Sequence, residues 1–366
     1  TTGTSDGDDT VTINETNDAH GNTNLTINTG SGTDGVTLNG NLALVDGDLT
    51  VSTQAITFAG GSIDVGSGSV DLNAGTGAIA DAAGNTATDI TAADLVLTAS
   101  SGIGTDGNPI DTTVLTLVAT ATGGDLNIDQ TGDVTATLTA NAGDAKLNVG
   151  STLTTGGAWS ADSFDVDVNG TATIEHTIAT DGSGGIDITT SSSGAIDVNA
   201  ALTAGVGGPL TLDAAGGITL DGLLTSATGV VDLDAVADIE LGAAGDVASD
   251  SGAVSLTAGG AIAMDADAVV DADAGTTAGG AIDLDAGSTI GLGQLTTDVA
   301  VTVDAVGAIT DANGVANNVT GSSLTIRGES LGVLDGTPDA LETAVATLVA
   351  TATGGDLNID QTGDVT

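Results

Sequence analysis

The chain has 366 residues, of which 50 are Asp or Glu and only two, Lys146 and Arg327, are basic, leaving a formal net charge of −48. A polyanion of this kind repels phosphate backbones and anionic headgroups, which argues against nucleic acid and membrane surfaces as partners. Apolar residues make up 40% of the sequence, enough to bury a core, and no apolar run approaches the ~18 residues of a membrane helix. Cysteine is absent, so disulfides and thiolate metal sites are excluded while the compartment stays open on that ground.

The first candidate chemistry lies near the amino terminus. Gly30-Ser31-Gly32-Thr33-Asp34-Gly35-Val36 fits most positions of the nonapeptide G-G-x-G-x-D-x-U-x, in which carbonyls and Asp carboxylates of successive turns enclose calcium. Asp34 is therefore a candidate calcium ligand, and Asp9, in the weaker echo Gly7-Asp8-Asp9-Thr10-Val11, is a second. No further nonapeptide follows in tandem, so turn chemistry alone is the competing reading. Asp6, Asp8 and Asp9 could also pair as acid and base in a polysaccharide-cleaving β-helix. With no Arg, Lys or Tyr nearby to shift a pKa or hold a sugar acid, they read better as turn-forming residues, and no catalytic set is assigned.

From Leu42 onward the pattern is strand-like. Leu42 and Leu44, Leu49 and Val51, Ile56 and Phe58, Ile63 and Val65, and Val70 and Leu72 form apolar, polar, apolar triplets whose starts are seven residues apart. Period-two triplets separated by Gly, Ser, Asn and Asp predict short half-buried strands joined by tight turns. Further on, Val231, Ile239, Val247, Val254 and Ile262 start triplets about eight residues apart. A corner phrase recurs as Gly184-Gly185-Ile186-Asp187-Ile188, Gly194-Ala195-Ile196-Asp197-Val198, Gly252-Ala253-Val254-Ser255-Leu256 and Gly280-Ala281-Ile282-Asp283-Leu284. With 57 Gly, abundant β-branched residues and no 3.6-residue stripe, helix is a poor fit.

Three such strands per circuit predict an all-β solenoid with coils of roughly 21 to 24 residues. The chain would then hold about sixteen coils, a rod on the order of 80 Å long at ~4.8 Å per stacked strand. Aromatics are nearly missing, as a narrow interior requires, and Trp159 with Phe164 is read as a local packing plug. Pro109, Pro209 and Pro338 are expected in turns, and Lys146 and Arg327 in exposed ion pairs with Asp. His20 and His176 stand alone, in no triad or metal set. Outward Asp64, Asp71, Asp187, Asp197, Asp232 and Asp283 are expected to stack as carboxylate rows about 5 Å apart that call for salt or divalent ions.

The chain is also internally duplicated. Thr116 to Thr135 recurs without change as Thr347 to Thr366, and Gly77-Ala78-Ile79-Ala80-Asp81-Ala82 answers to Gly307-Ala308-Ile309-Thr310-Asp311-Ala312. The duplicated stretches are 77–135 and 307–366, set in one continuous solenoid over 1–366 that is expected to be a window on a longer repetitive protein.

Ser101-Gly102-Ile103-Gly104-Thr105-Asp106-Gly107-Asn108-Pro109-Ile110-Asp111-Thr112, followed by Leu115-Thr116-Leu117 and Gly123-Gly124-Asp125-Leu126-Asn127-Ile128, resembles the repeat phrase of filamentous haemagglutinin-like large exoproteins. Gly332 to Thr343 keeps that pattern loosely. The resemblance implies a right-handed parallel β-helix and an adhesin secreted by, or displayed on, a prokaryotic cell. The amino-terminal secretion domain of that family is not visible, and the Asp excess departs from it toward saline-habitat or calcium-dependent secreted proteins.

The expected function is therefore a passive extracellular or cell-surface rod, with partners in a host or neighbouring cell surface and in further coils, joined covalently or end to end. The alternatives are a calcium-stabilised surface-layer or matrix module and, more remotely, a polysaccharide-degrading β-helix enzyme.

Overall fold

A computed structural model describes residues 7–14, 23–82, 86–275, 278–333 and 340–366. The described residues hold 41 strands and no helix, stacked in about 15 turns as a β-solenoid. The chain divides into two compact units, Thr1–Gly170 and Thr171–Thr366. Among the described residues the strand ladders are parallel, and the turn Thr105–Asn108 closes on a single antiparallel bridge.

In the second unit each coil has three faces. One runs through Ile186–Thr190, Leu210–Ala214, Val231–Ala235, Val254–Ala258, Ile282–Ala286 and Ala300–Ala305, where Leu212, Leu233, Leu256, Leu284 and Val303 lie in register. A second carries Ile196, Ile218, Ile239, Ile262, Ile290 and Ile309 in one line. A third carries Leu202, Leu224 and Val247. All are buried. Strand alternation sends every second residue inward, so the triplets of the sequence become continuous aliphatic columns. Each Val, Leu or Ile so buried contributes about 1.5–3 kcal/mol.

Glycine at the corner phrase has a steric cause. Gly208, Gly229, Gly252 and Gly280 stack one above another, and a Cβ on Gly252 would fall well inside contact distance of the Gly229 carbonyl oxygen, as one on Gly229 would with Gly208. The corner is held by inward hydroxyls. Ser249 Oγ donates to Gly229 O at 3.2 Å and accepts from Gly252 N at 2.8 Å, and Ser226 does the same with Gly208 O and Gly229 N, both at 2.9 Å. Both serines are fully buried.

The first unit starts with similar coils and then contracts. Leu49, Val70, Leu95 and Leu117 follow one another in register, and so do Ile110, Ile128, Leu147 and Val166 on another face. The strand Leu126–Gln130 spans two faces, placing Leu126 against Ile103 and Ile128 against Ile110. The turn Thr105–Asn108 of the preceding coil thus has no counterpart, and the next coil needs only 19 residues, Leu117 to Ala136. At the other extreme, 28 residues separate Val254 from Ile282, because the corner between Asp271 and Ile282 is long. The near-constant spacing read from the sequence holds for the inward triplets, while corners absorb the variation.

Trp159 and Phe164 are buried as a tilted pair 5.7 Å apart, with Trp159 Nε1 donating to Ala136 O at 2.8 Å. They fill the interior where Gly156 and Gly157 interrupt the aliphatic pattern, the plug expected from the sequence. Pro109 and Pro209 each stand just before a strand, and Pro338 lies outside the described residues.

Candidate functional site

The most unusual polar feature is a set of three carboxylates in the first unit, Asp81, Asp89 and Asp111. The strand Ile79–Asp81 buries Ile79 and, two residues on, turns Asp81 to the same side. Asp89 sits at a corner just before Ile90–Thr91, and Asp111 is the second residue of Ile110–Thr113. The backbone ties these corners together: Ile63 N donates to Asp89 O at 2.7 Å and Asp89 N to Asp111 O at 2.8 Å. Asp111 N donates in turn to Asp89 Oδ2 at 3.0 Å.

The three residues bring carboxylate oxygens within 4.8 Å of one another. Asp81 and Asp89 are only 5% and 4% exposed, Asp111 is half-buried, and one coil on Asp129 is in register with Asp111. Burial pushes the Asp89 carboxyl up to about 7, against the pull of the Asp111 N–H and with the help of the Asp81 and Asp111 charges. Burial, then the charges of Asp129 and Asp81, raises Asp111 to about 6. Asp111 Oδ2 is buried and accepts no hydrogen bond. Three such groups can share protons or present hard oxygen donors to a cation.

The sequence reading missed this set. Asp89 and Asp111 flank inward Ile90 and Ile110 and look like outward residues, but Asp89 is enclosed by its corner. Asp81 did carry a signal, since it shares parity with inward Ile79.

The residues singled out as calcium ligands do meet on adjacent coils. Thr10–Ile13 pairs with Gly35–Leu38, and Asp34 Oδ1 accepts the Asp9 N–H at 2.7 Å. Asp8 Oδ1 accepts Thr33 N at 2.9 Å, and Gln54 Oε1 accepts Asp34 N at 3.1 Å. Asp34 is 3% exposed, and Oδ2 of both Asp9 and Asp34 is buried with no hydrogen-bond partner. Gly32, at φ 139°, approaches the Gly7 carbonyl so closely that no side chain fits. The sequence motif therefore builds a staple between coils with two orphan oxygens. Asp6 and His20 lie outside the described residues, and Glu175, beside His176, accepts Asn199 Nδ2 at 2.9 Å.

Outside, the acidic rows are more diluted than the sequence suggested. Asp64, Asp71, Asp187, Asp232 and Asp283 are exposed and Asp197 half-buried, yet the register neighbours of Asp64, Asp71, Asp197, Asp232 and Asp283 are hydroxyl or apolar residues. Asp232, for example, lies between Thr211 and Ser255, and Asp283 between Ser255 and Thr302. Direct carboxylate pairings fall two residues on, at Asp213 with Asp234 and Asp285 with Asp304. Burial first, and then neighbouring carboxylates, holds Asp234 and Asp283 above the usual range. Arg327 continues one row, 3.0 Å from Asp304, and Lys146 stands 2.9 Å from Asp165 and 3.8 Å from Asp106. Both basic residues make the exposed ion pairs expected of them.

No known protein family, curated protein or solved structure matches this chain.

Proposed function

We propose that the chain is a structural β-solenoid of an extracellular or cell-surface adhesin or filament from a prokaryote. The observation that carries this reading is the uniformity of the coils: aliphatic columns inside, and Asp, Thr, Ser and Asn outside, repeated on face after face. Such a surface supplies reach and solubility rather than ligand chemistry. The resemblance of 101–128 to haemagglutinin-like exoproteins supports the same reading. Parallel ladders suit partners of the same kind, further coils continuing the stack, besides a host or neighbouring surface that such a rod would reach. The test is antibody labelling of intact source cells and their medium. Label on unpermeabilised cells or on shed filaments is expected, and label that appears only after permeabilisation overturns the proposal.

A second reading, a calcium-stabilised surface or matrix module, is favoured by the orphan Oδ2 atoms of Asp9 and Asp34 on adjacent coils. Calcium held there would offset the cost of burying unbonded carboxylate oxygens. It predicts that calcium raises the melting temperature of metal-free protein and that Asp34→Asn abolishes the rise. A melting curve indifferent to calcium removes this reading.

A further inference from the structure

The duplication supplies an internal control for the aspartate cluster. Ile79, Ile103 and Leu126 bridge in sequence in the first copy, and Ile309, Leu331 and Leu357 do so in the second. Asp81 therefore corresponds to Asp311. Asp89 N donates to Asp111 O at 2.8 Å, and Asn318 N donates to Glu342 O at 2.8 Å. The side chains repeat the pattern: Asp111 N reaches Asp89 Oδ2 at 3.0 Å, and Glu342 N reaches Asn318 Oδ1 at 2.9 Å. Farther along, Thr112 Oγ1 donates to Gln130 Oε1 at 2.8 Å and Thr343 Oγ1 to Gln361 Oε1 at 2.7 Å. By ladder position and hydrogen bonding, Asp89 and Asn318 are the same residue of the duplicated coil.

The two side chains differ only in the atom at one branch, and that atom has a defined task in the second copy. Asn318 is fully buried, and its Nδ2 donates to Asp311 Oδ1 at 2.9 Å, to Leu292 O at 2.9 Å and to Asn313 Oδ1 at 3.1 Å. These partners are all acceptors. In the first copy the corresponding branch is an Asp89 oxygen, with the Asp81 carboxylate where Asp311 stands and a strand-end carbonyl, that of Phe58, where Leu292 O stands. Phe58 and Leu292 match because Phe58 is in register with Asp81 and Leu292 with Asp311, and each accepts the following Ala N–H. A bare carboxylate oxygen in that place faces acceptors without a hydrogen to give.

We propose that Asp89 is a proton-binding site: in the folded protein its second carboxyl oxygen carries a hydrogen, donates it toward Asp81 as the Asn318 amide does toward Asp311, and seals the coil corner under acidic conditions. Among the described residues the charged groups that face Asp89 are acidic. They are Asp81 from Ile79–Asp81 and Asp111 from Ile110–Thr113, and Asp129 from Leu126–Gln130, one coil on, stands in register with Asp111. On the other side, Asp64 from Ile63–Asp64 is exposed and turned outward. Burial among these groups raises the carboxyl to about 7, consistent with a held proton.

The sign follows from linkage. Asp89 has a folded-state pKa above its unfolded value, so the stability it contributes is full below about pH 4, falls by up to tenfold in the unfolding constant per pH unit, and is gone above about pH 7. Asp89→Asn reproduces the second copy and should remove this slope. At pH 8 the variant should therefore be more stable than the parent chain.

The test compares denaturant unfolding of the parent and Asp89→Asn from pH 4 to pH 8, alongside carboxyl carbon chemical shifts in labelled protein. A buried Asp signal titrating near pH 7 that vanishes in Asp89→Asn, with a stability difference that changes over pH 4–7 and levels above, supports the proposal. An unchanged pH slope, or a variant less stable than the parent at pH 8, overturns it. So does restoration of the parent at pH 8 by millimolar calcium that Asp89→Asn does not share, since the corner would then hold a metal. If Asp89→Asn does not fold, Asn318→Asp decides: it should import into the second copy a new carboxyl titration raised above the ordinary carboxylate range, and its absence overturns the proposal.

Discussion

Two interior corners of this protein bury polar groups in opposite ways. In the second unit, Ser226 and Ser249 use neutral hydroxyls that both donate and accept, so each corner closes on itself with bonds of 2.8 to 3.2 Å to stacked glycines. In the first unit, Asp81, Asp89 and Asp111 bring three acidic groups into a comparable enclosure, where the backbone satisfies one oxygen of Asp89 and leaves one of Asp111 bare. The difference teaches that this scaffold tolerates buried polarity at corners, where strand pairing is interrupted, and that a neutral group costs nothing further while a carboxyl makes its coil conditional on solution conditions.

The comparison can be broken most severely at the neutral corner. Gly252→Ala forces a methyl group into the Gly229 carbonyl and should cost about 3 kcal/mol, read as a lower denaturant midpoint with an unchanged slope. Midpoints equal within error would show that the corner relaxes freely. Ser249→Ala keeps the space but strips Gly252 N–H and Gly229 O of their partner, for an expected loss of about 2 kcal/mol. A loss below about 0.5 kcal/mol would mean that water or a backbone shift replaces the hydroxyl.

At the acidic corner a smaller change sharpens the contrast. Asp111→Asn removes one of the like charges that raise Asp89, so the Asp89 titration should move to lower pH, toward the ordinary carboxylate range. A titration that stays in place would assign its elevation to burial and the Asp81 charge. The least effect is expected outside, where Arg327→Ala breaks the exposed pair with Asp304 and should change stability by under about 1 kcal/mol.

Much of the fold was legible because a solenoid writes its cross-section into the sequence. The alternation in Val231-Asp232-Leu233 and Val254-Ser255-Leu256 names the inward residues, and Gly229 and Gly252 mark the corner before each strand. Coil length was less legible. Leu126–Gln130 looks like any other strand, and only the ladder shows it serving two faces at once. Asp34 was found because its glycine-spaced motif is local. Asp89 was not, because its enclosure comes from residues 8 positions before it and 22 after, and the corner overrides the parity that flanking Ile90 suggests. Aligning the duplicated stretches at Asn318 would have exposed it, since an amide replacing a carboxylate in an otherwise kept corner marks a place where charge is the variable.

The parallel ladder has a mechanical consequence. In the second unit the strand Val254–Ala258 bonds only to Val231–Ala235 on one side and Ile282–Ala286 on the other, so no bond skips a coil. Tension along the chain would therefore meet coils one after another, each opening without warning its distant neighbours. The step from Val231 to Val254 is 23 residues, and a circuit of that size releases about 75 Å when drawn straight. Pulled in a single-molecule instrument, this unit should yield as a ratchet whose teeth follow coil length, longest at the 28-residue step from Val254 to Ile282, a shock absorber whose stroke is set by its corners.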